Sequence, residues 1–284
     1  MTGDTTPPAA PVPSHGHRRP LTIRVALVRL AVVASIVLAA LVVGSANGVG
    51  PLARVTPPAE ITDPREMLAR SLQGVIDASS LHVEIAVTGR VPGALVGSTQ
   101  PSVNLDGTRA SIDARPHDAR MHITLKSPPL GLDVEAITLW DAVTYRRAGG
   151  PWTSASLGSA TDGSGIDVNP LTLVGHLRDW LAAPGAPLPT AVDVACGAPS
   201  GRCRQVRLAV GSAGDALLRL HPRAGAAAVG PTTTDVVLET DAETLRPTRL
   251  TVHVHNADRT LDVTLVAATS AWDTPSVIPD PPSG

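Results

Sequence analysis

Hydrophobic and polar residues alternate with a period of two along several stretches of the chain. In LHVEIAV, Leu81, Val83 and Ile85 fall on one side and His82 and Glu84 on the other. The same pattern continues through MHITLK, LDVEAITLW, AVTYRR, DVVLETD, RLTVHVH and TLDVTLVAA, and GGPWTSAS follows a turn. Such alternation is typical of strands in an antiparallel sheet with one dry and one wet face.

Two other stretches have the period of a helix. The first has Asp63 as N-cap, Pro64 at the first helical position and Glu66 at capping-box spacing. The second begins at Asn169-Pro170 in the same way and ends at APGAP. Their apolar stripes are Met67, Leu68, Leu72, Val75 and Ile76 in the first, and Leu171, Val174, Leu177, Trp180 and Leu181 in the second.

The order of elements is helix, strands, helix, strands, which predicts an α+β fold. We expect one large curved antiparallel sheet with the helices gathered on one face. One N-terminal transmembrane or signal segment precedes it.

Residues 30–53 contain no charged side chain and are long enough to cross a bilayer, since about 20 residues span the hydrocarbon core. The positive-inside rule places the N-terminus in the cytoplasm and the rest of the chain outside. The long, Pro-rich region ahead favours an uncut anchor, whereas Gly44-Ser45-Ala46 offers a signal-peptidase site. The basic residues that precede the segment are Arg18, Arg19, Arg24 and Arg29.

These features divide the chain into five parts. We expect a disordered basic cytoplasmic tail (1–29), a transmembrane anchor or signal segment (30–53), a linker (54–61), an extracytoplasmic domain (62–276) and a Pro-rich tail (277–284). The domain would stand outside the cytoplasm at the cell membrane, or be secreted if cleavage follows Ala46.

Acidic residues outnumber basic ones after residue 54, so the domain has no electrostatic footprint for nucleic acid. We therefore expect no nucleic-acid partner.

Phe is absent and Tyr145 is the single tyrosine, so the core must be built from Val, Leu, Ile and Ala.

The two cysteines, Cys196 and Cys203, flank a Gly/Pro/Ser loop between two strand-like runs. A disulfide across this hairpin is the expected state in an oxidising compartment. A metal pair would lack two further ligands, and a redox pair would lack C-x-x-C spacing.

Motifs for catalysis or cofactor binding do not occur in the sequence. There is no G-x-S-x-G, Walker A lysine, H-E-x-x-H, EF-hand or G-x-G-x-x-G. His253 and His255 share a face of one strand and could bind a metal, but that face is polar, and we interpret them as solvated. We expect no enzyme activity, no catalytic residue, no metal site and no cofactor.

The succession of elements between about residues 60 and 280 resembles the LolA/LppX-like lipoprotein-carrier superfamily. The matching stretches are DPREMLARSLQGV leading into SSLHVEIAVTG, then LDVEAITLWDAVTYRRAGGPWTSAS with Tyr145 and Trp152, and finally LTVHVHNADRTLDVTLVAATSAWDTPSVIPDPP. The resemblance implies that the sheet is a half-barrel with the helices on its concave face, and that it encloses an apolar cavity for acyl chains. The sequence lacks the lipobox cysteine of many relatives, so the mode of anchoring differs.

The resemblance also implies a site and a function. The chain would be a membrane-associated, extracytoplasmic carrier or binder of a lipid, lipoprotein or other acylated molecule, held at the membrane by residues 30–53. The alternative is an envelope sensor, or a domain that binds another envelope protein, without a lipid ligand. The residues expected to line the cavity are Leu81, Val83, Ile85, Met121, Ile123, Leu125, Val252, Val254, Val263 and Leu265.

Overall fold

The computed structural model describes residues 61, 63–96, 98–139, 142–156, 190–210 and 232–282. In this part of the chain there are one α-helix, twelve strands and three 3-10 turns. The helix is α1 (Pro64–Asp77), and the turns are Gly93–Val96, Pro116–Asp118 and Pro128–Leu130. The strands are β1 (Leu81–Pro92), β2 (Ser102–Asn104), β3 (Thr108–Arg115), β4 (Arg120–Ser127), β5 (Leu132–Leu139), β6 (Ala142–Arg147), β7 (Thr153–Ser156), β8 (Thr190–Ala195), β9 (Arg202–Val210), β10 (Thr232–Asp241), β11 (Pro247–Asn256) and β12 (Asp262–Ser270).

All twelve strands belong to one antiparallel sheet with β1 in its middle. β1 pairs with β3 on one side and with β12 on the other. From β3 the strands run in chain order to the edge strand β7, and from β12 they run in reverse order to the edge strand β8. β2 lies off this path and pairs with the end of β1. Among the described strands the sheet is therefore open, not closed into a barrel.

Tight turns keep consecutive strands adjacent. The turns after β3 and β4 each begin with proline and end with a residue in the left-handed conformation, Ala119 and Gly131. In each turn the last N–H donates to the carbonyl of the proline, Pro116 or Pro128, at 3.0 Å. Such short connections can join only antiparallel neighbours.

The two faces of the sheet differ in the way that the alternation predicts. Val83 lies opposite Ile112 of β3, and Ile112 lies opposite Ile123 of β4. On the other side of the sheet, His82 is half-buried and Glu84 is exposed. We call the side with Val83 the apolar face and the side with His82 the polar face.

Helix α1 begins as the sequence predicts. The Asp63 carboxylate accepts a hydrogen bond from the Arg65 N–H at 2.9 Å, which satisfies one of the free donors of the first turn. The side chains of Leu72 and Ile76 lie outside the described residues. The rest of the predicted stripe is buried: Met67, Leu68 and Val75.

Two hydrogen bonds fix α1 across one end of the sheet. The Ser71 hydroxyl donates to the carbonyl of Leu245, in the turn between β10 and β11, at 2.7 Å. The ring of His117, in the turn between β3 and β4, lies 3.2 Å from the carbonyl of Asp77. The helix thus covers the end of the apolar face where β1 begins.

The predicted strands from Leu81 onward are all present in the described part of the chain, and β2 and β3 were missed. β3 presents Ala110, Ile112 and Ala114 to the apolar face, and alanine has a low preference for strands. The second predicted helix (169–181) and residues 1–60 lie outside the described residues.

No helix in the described residues is long and apolar enough to cross a membrane. The predicted anchor at 30–53 falls outside the range to which this finding applies. At the other end of the chain, Ile278 of the predicted Pro-rich tail is buried, and Arg120 donates a hydrogen bond to Asp280. Part of this tail therefore packs against the domain.

Candidate functional site

The centre of the apolar face is closely packed. Val83 and Ile85 of β1 are at most 2% exposed, and their neighbour Ile112 on β3 is 1% exposed. Met67 and Val75 of α1 belong to the same buried cluster. This centre is a hydrophobic core that stabilises the domain by removing aliphatic surface from water.

On both sides of this centre, the apolar face carries aliphatic side chains that are only partly buried. They contact the core but keep part of their surface accessible. We call them the flanks. One flank lies on β4 and β5 and the other on β10, β11 and β12. The residues are Met121, Ile123 and Val134 in the first and Val236, Val252, Val254, Val263 and Leu265 in the second.

The strand register makes each flank continuous. Val252 lies opposite Val236 on one side and Leu265 on the other. Two residues further along β11, Val254 lies opposite Val263 of β12. Directly adjacent aliphatic side chains on neighbouring strands are about 5 Å apart, so they present a single apolar surface.

The ten residues predicted to line a cavity all lie on the apolar face. Four of them belong to the packed centre and six to the flanks. The buried four are Leu81, Val83, Ile85 and Leu125, and the partly buried six are Met121, Ile123, Val252, Val254, Val263 and Leu265. The alternation of the sequence places these ten side chains on one face, as the structure does, but it could not distinguish the packed centre from the flanks.

The far end of the apolar face is closed by the chain between β1 and β3. In this segment Val96, Val103 and Leu105 are buried, together with Leu261 from the turn between β11 and β12. The N–H of Leu105 donates to the carbonyl of Gly89 at 2.7 Å, where β1 changes partner. The face is thus bounded at one end by α1 and at the other by this segment.

Two surface depressions in the described part of the chain lie away from the flanks. One, of about 290 Å³, is formed by the turn between β4 and β5 with Arg147 and Ala148. The other, of about 280 Å³, lies between Leu81, His82 and Asp113 and residues 274–277. Neither contains a flank residue.

The polar face carries histidines that are paired with carboxylates. His82 lies 2.7 Å from Asp113 Oδ1 and 2.8 Å from Glu84 Oε1. Burial disfavours the charged imidazole, but the hydrogen bonds to the two carboxylates outweigh burial and raise the pKa of His82. Its protonated form therefore forms a small ion cluster across β1 and β3.

A similar cluster joins β4, β5 and β6. The ring of His122 lies 3.0 Å from Glu135 Oε1, and Arg146 donates to Glu135 Oε2 at 2.7 Å. The hydrogen bond from His122 lowers the pKa of Glu135 against the opposing effect of burial, and Arg146 lowers it further. The lowered pKa keeps Glu135 ionised beside these two basic side chains.

His253 and His255 occupy the polar face, as the sequence predicts, but they are half-buried and not simply solvated. Their rings stack with centroids 4.8 Å apart. The ring of His253 lies 2.7 Å from Asp262 Oδ1, and this hydrogen bond is the main cause of the lowered pKa of Asp262. No histidine of the described residues is hydrogen-bonded to a hydroxyl or thiol, which is the geometry that activates a nucleophile.

Cys196 and Cys203 are joined in a disulfide with their Cα atoms 5.7 Å apart. The bond closes the hairpin between β8 and β9, as the sequence predicts. Cys203 is fully buried, and no free cysteine occurs in the described part of the chain.

No family model matches the chain, and no curated protein matches it. Among solved structures, the crystal structure of the lipoprotein LppX of Mycobacterium tuberculosis shares 12% sequence identity with a TM-score of 0.46. The matched region covers 76% of this chain and 97% of LppX. A LolA superfamily protein of Nitrosomonas europaea shares 9% identity with a TM-score of 0.29, covering 75% of this chain and 94% of that protein. LppX and the LolA superfamily are also the proteins that the sequence is predicted to resemble.

Proposed function

We propose that the domain binds the acyl chains of a lipid or lipoprotein on the flanks of its apolar face and has no enzymatic role. The observation that carries this proposal is the set of partly exposed aliphatic side chains beside a fully packed centre. A soluble domain rarely leaves contiguous apolar surface accessible without a binding role. The six flank residues among those predicted from the sequence, together with Val134 and Val236, would form the contact surface.

The chemistry of the flanks suits a hydrocarbon ligand. The flank on β10, β11 and β12 consists of valines and one leucine, which offer no hydrogen bond to a ligand and require none. Burying each methylene contributes about 0.8 kcal/mol, so a chain that buries eight methylenes gains roughly 6 kcal/mol before ordering costs. An aliphatic chain of ordinary length therefore has enough surface for useful affinity.

The location of the domain outside the cytoplasm belongs to the same proposal. The Cys196–Cys203 disulfide supports it, since such bonds persist in oxidising compartments. Residues 30–53 would provide the membrane anchor, oriented by the arginines that precede it. In this arrangement the anchor holds the apolar face close to the membrane that supplies the lipid.

A fluorescence titration with a dansyl-labelled fatty acid tests the proposal on the full-length chain. Val252→Trp places a large ring on the flank and should weaken binding about tenfold or more, which corresponds to about 1.4 kcal/mol. Val192→Trp is the matched control. Val192 is 51% exposed on β8, and its pairing with Gln205 of β9 places it on the polar face. Equal binding by the parent chain and both variants would contradict the proposal.

A second candidate function is the binding of an envelope protein, with or without a sensing role. Edge strand β8 favours it, since five of its six residues are exposed and its outer edge is unpaired among the described strands. Open edges pair readily with a strand from another chain. A photo-crosslinking residue at position 192 would report this: protein adducts that survive Val252→Trp favour partner binding, and their absence argues against it.

A further inference from the structure

Three potential metal ligands meet on the polar face of β10 and β11. Asp235, His253 and His255 each offer one ligand atom, and these atoms all lie within 4.8 Å of one another. Asp235 is directly opposite His253 in the pairing of β10 with β11. His253 and His255 are two residues apart on β11, which places both on one face. The arrangement is thus a consequence of strand register and not of a loop conformation.

His253 is held in the way that metal-binding histidines usually are. Its Nε2 lies 2.7 Å from Asp262 Oδ1 on β12, and Asp262 also accepts a hydrogen bond from Arg259 at 3.4 Å. In a neutral imidazole, a carboxylate at one nitrogen keeps the proton there and leaves the lone pair on the other nitrogen. His253 would therefore offer Nδ1 to a ligand, with its ring orientation fixed by β12.

His255 has a polar atom that lacks a partner. Its Nδ1 is buried and has no hydrogen bond to any described group. A buried polar atom without a hydrogen-bond partner is unfavourable, so a ligand for this nitrogen would remove a penalty that the folded chain otherwise bears. The rings of His253 and His255 stack, and one ligand atom of His255 lies within 4.8 Å of one from His253 and one from Asp235.

We propose that Asp235, His253 and His255 bind a divalent transition-metal ion of the zinc class. Two imidazole nitrogens and one carboxylate oxygen suit zinc, whereas calcium and magnesium prefer sites made of oxygen atoms. Zinc bonds of about 2.0–2.1 Å in a tetrahedron separate neighbouring ligand atoms by about 3.3 Å, so the three atoms need to approach only by small side-chain rotations. The fourth position would be taken by water.

This site is independent of the acyl-binding proposal, because it lies on the opposite face of the sheet. The role of Asp262 is to position His253 and not to bind the ion. A zinc ion here would join β10 and β11 directly, and β12 through Asp262. These strands also carry the larger flank.

The test is a Zn²⁺ titration of the full-length chain in competition with a chromophoric zinc indicator. Because His15 and His17 in the N-terminal tail could also bind zinc, both are replaced by alanine in the parent and in every variant. The parent should bind one equivalent of zinc. His253→Gln and His255→Gln should each weaken binding about tenfold or more, while His122→Gln on the same face is the matched control and should leave it unchanged.

Asp235→Asn keeps the test decisive if a histidine variant fails to fold, because Asp235 is exposed. Its zinc affinity should also fall by about tenfold, with an unchanged circular dichroism spectrum. Zinc should raise the melting temperature of the parent and not that of Asp235→Asn, since a ligand stabilises only the state that binds it. Zinc binding that is equal in the parent and in all three variants would overturn the proposal.

Discussion

Replacing a valine or an isoleucine of the apolar face by tryptophan should destabilise the domain much more at its centre than at its flank. Ile85, at the centre, is 2% exposed and lies between Ala110 of β3 and Ala267 of β12. Both alanines are themselves buried. Ile85→Trp therefore forces extra volume into a packed core, which costs about 1–3 kcal/mol or more.

At the flank the same change meets an accessible surface. Val252 lies between Val236 and Leu265, and all three are only partly buried. A tryptophan ring can extend over these neighbours without displacing them. The loss of unfolding free energy for Val252→Trp should therefore be about 1 kcal/mol or less.

Urea unfolding followed by circular dichroism measures the difference, on protein that has first been washed with organic solvent or delipidated on a hydrophobic resin. For a domain of this size, each kcal/mol corresponds to about 2–4 °C in melting temperature, so thermal unfolding should give the same order. A loss for Val252→Trp as large as that for Ile85→Trp would refute the distinction between a packed centre and accessible flanks.

Three further predictions concern the disulfide, a histidine and a glycine. Replacing Cys196 and Cys203 together by alanine opens a loop with a sequence separation of 7 and should cost about 2.5 kcal/mol in urea unfolding, and no change would show that the hairpin holds without the bond. Because the pKa of His82 is raised above 6.5, its contribution to stability is full below that pH and is lost as the pH rises through the folded pKa; His82→Gln should flatten this part of the stability–pH profile, and an unchanged profile would exclude His82 as its source. Gly89 has φ +103° and an added Cβ would lie 2.0 Å from the carbonyl oxygen of Asp262, so Gly89→Ala should cost more than about 1 kcal/mol of unfolding free energy, and a neutral result would mean that β12 can move away.

Much of the fold could be predicted from the sequence because the local signals agree with the final structure. The capping pattern at Asp63 gives the start of α1, and the period-two pattern gives the strands from β4 to β6 and from β10 to β12. β3 was missed because its buried side includes Ala110 and Ala114, whose small side chains weaken the pattern. The central position of β1 could not be predicted, since its pairing with β12 joins residues far apart in the chain.

The sequence predicts which side chains share the apolar face, but not which of them are buried in the core and which stay accessible. The sequence places Val83 and Val252 in equivalent alternating patterns, yet one is buried in the core and the other lies on a flank. That difference depends on which strand is covered by α1 and on pairings across the sheet. The metal ligands are a similar case, since Asp235 and His253 approach only through the register of β10 with β11.

Native mass spectrometry of the full-length chain, expressed in a bacterial host and extracted in mild detergent, tests acyl binding most directly. The parent chain and Val192→Trp should carry a lipid-sized adduct that Val252→Trp lacks, because only the last change covers the flank. Lipid bound to the predicted membrane segment would appear equally in all three proteins and so cannot produce this difference. Adducts of equal abundance in all three, or none in the parent, would contradict the account.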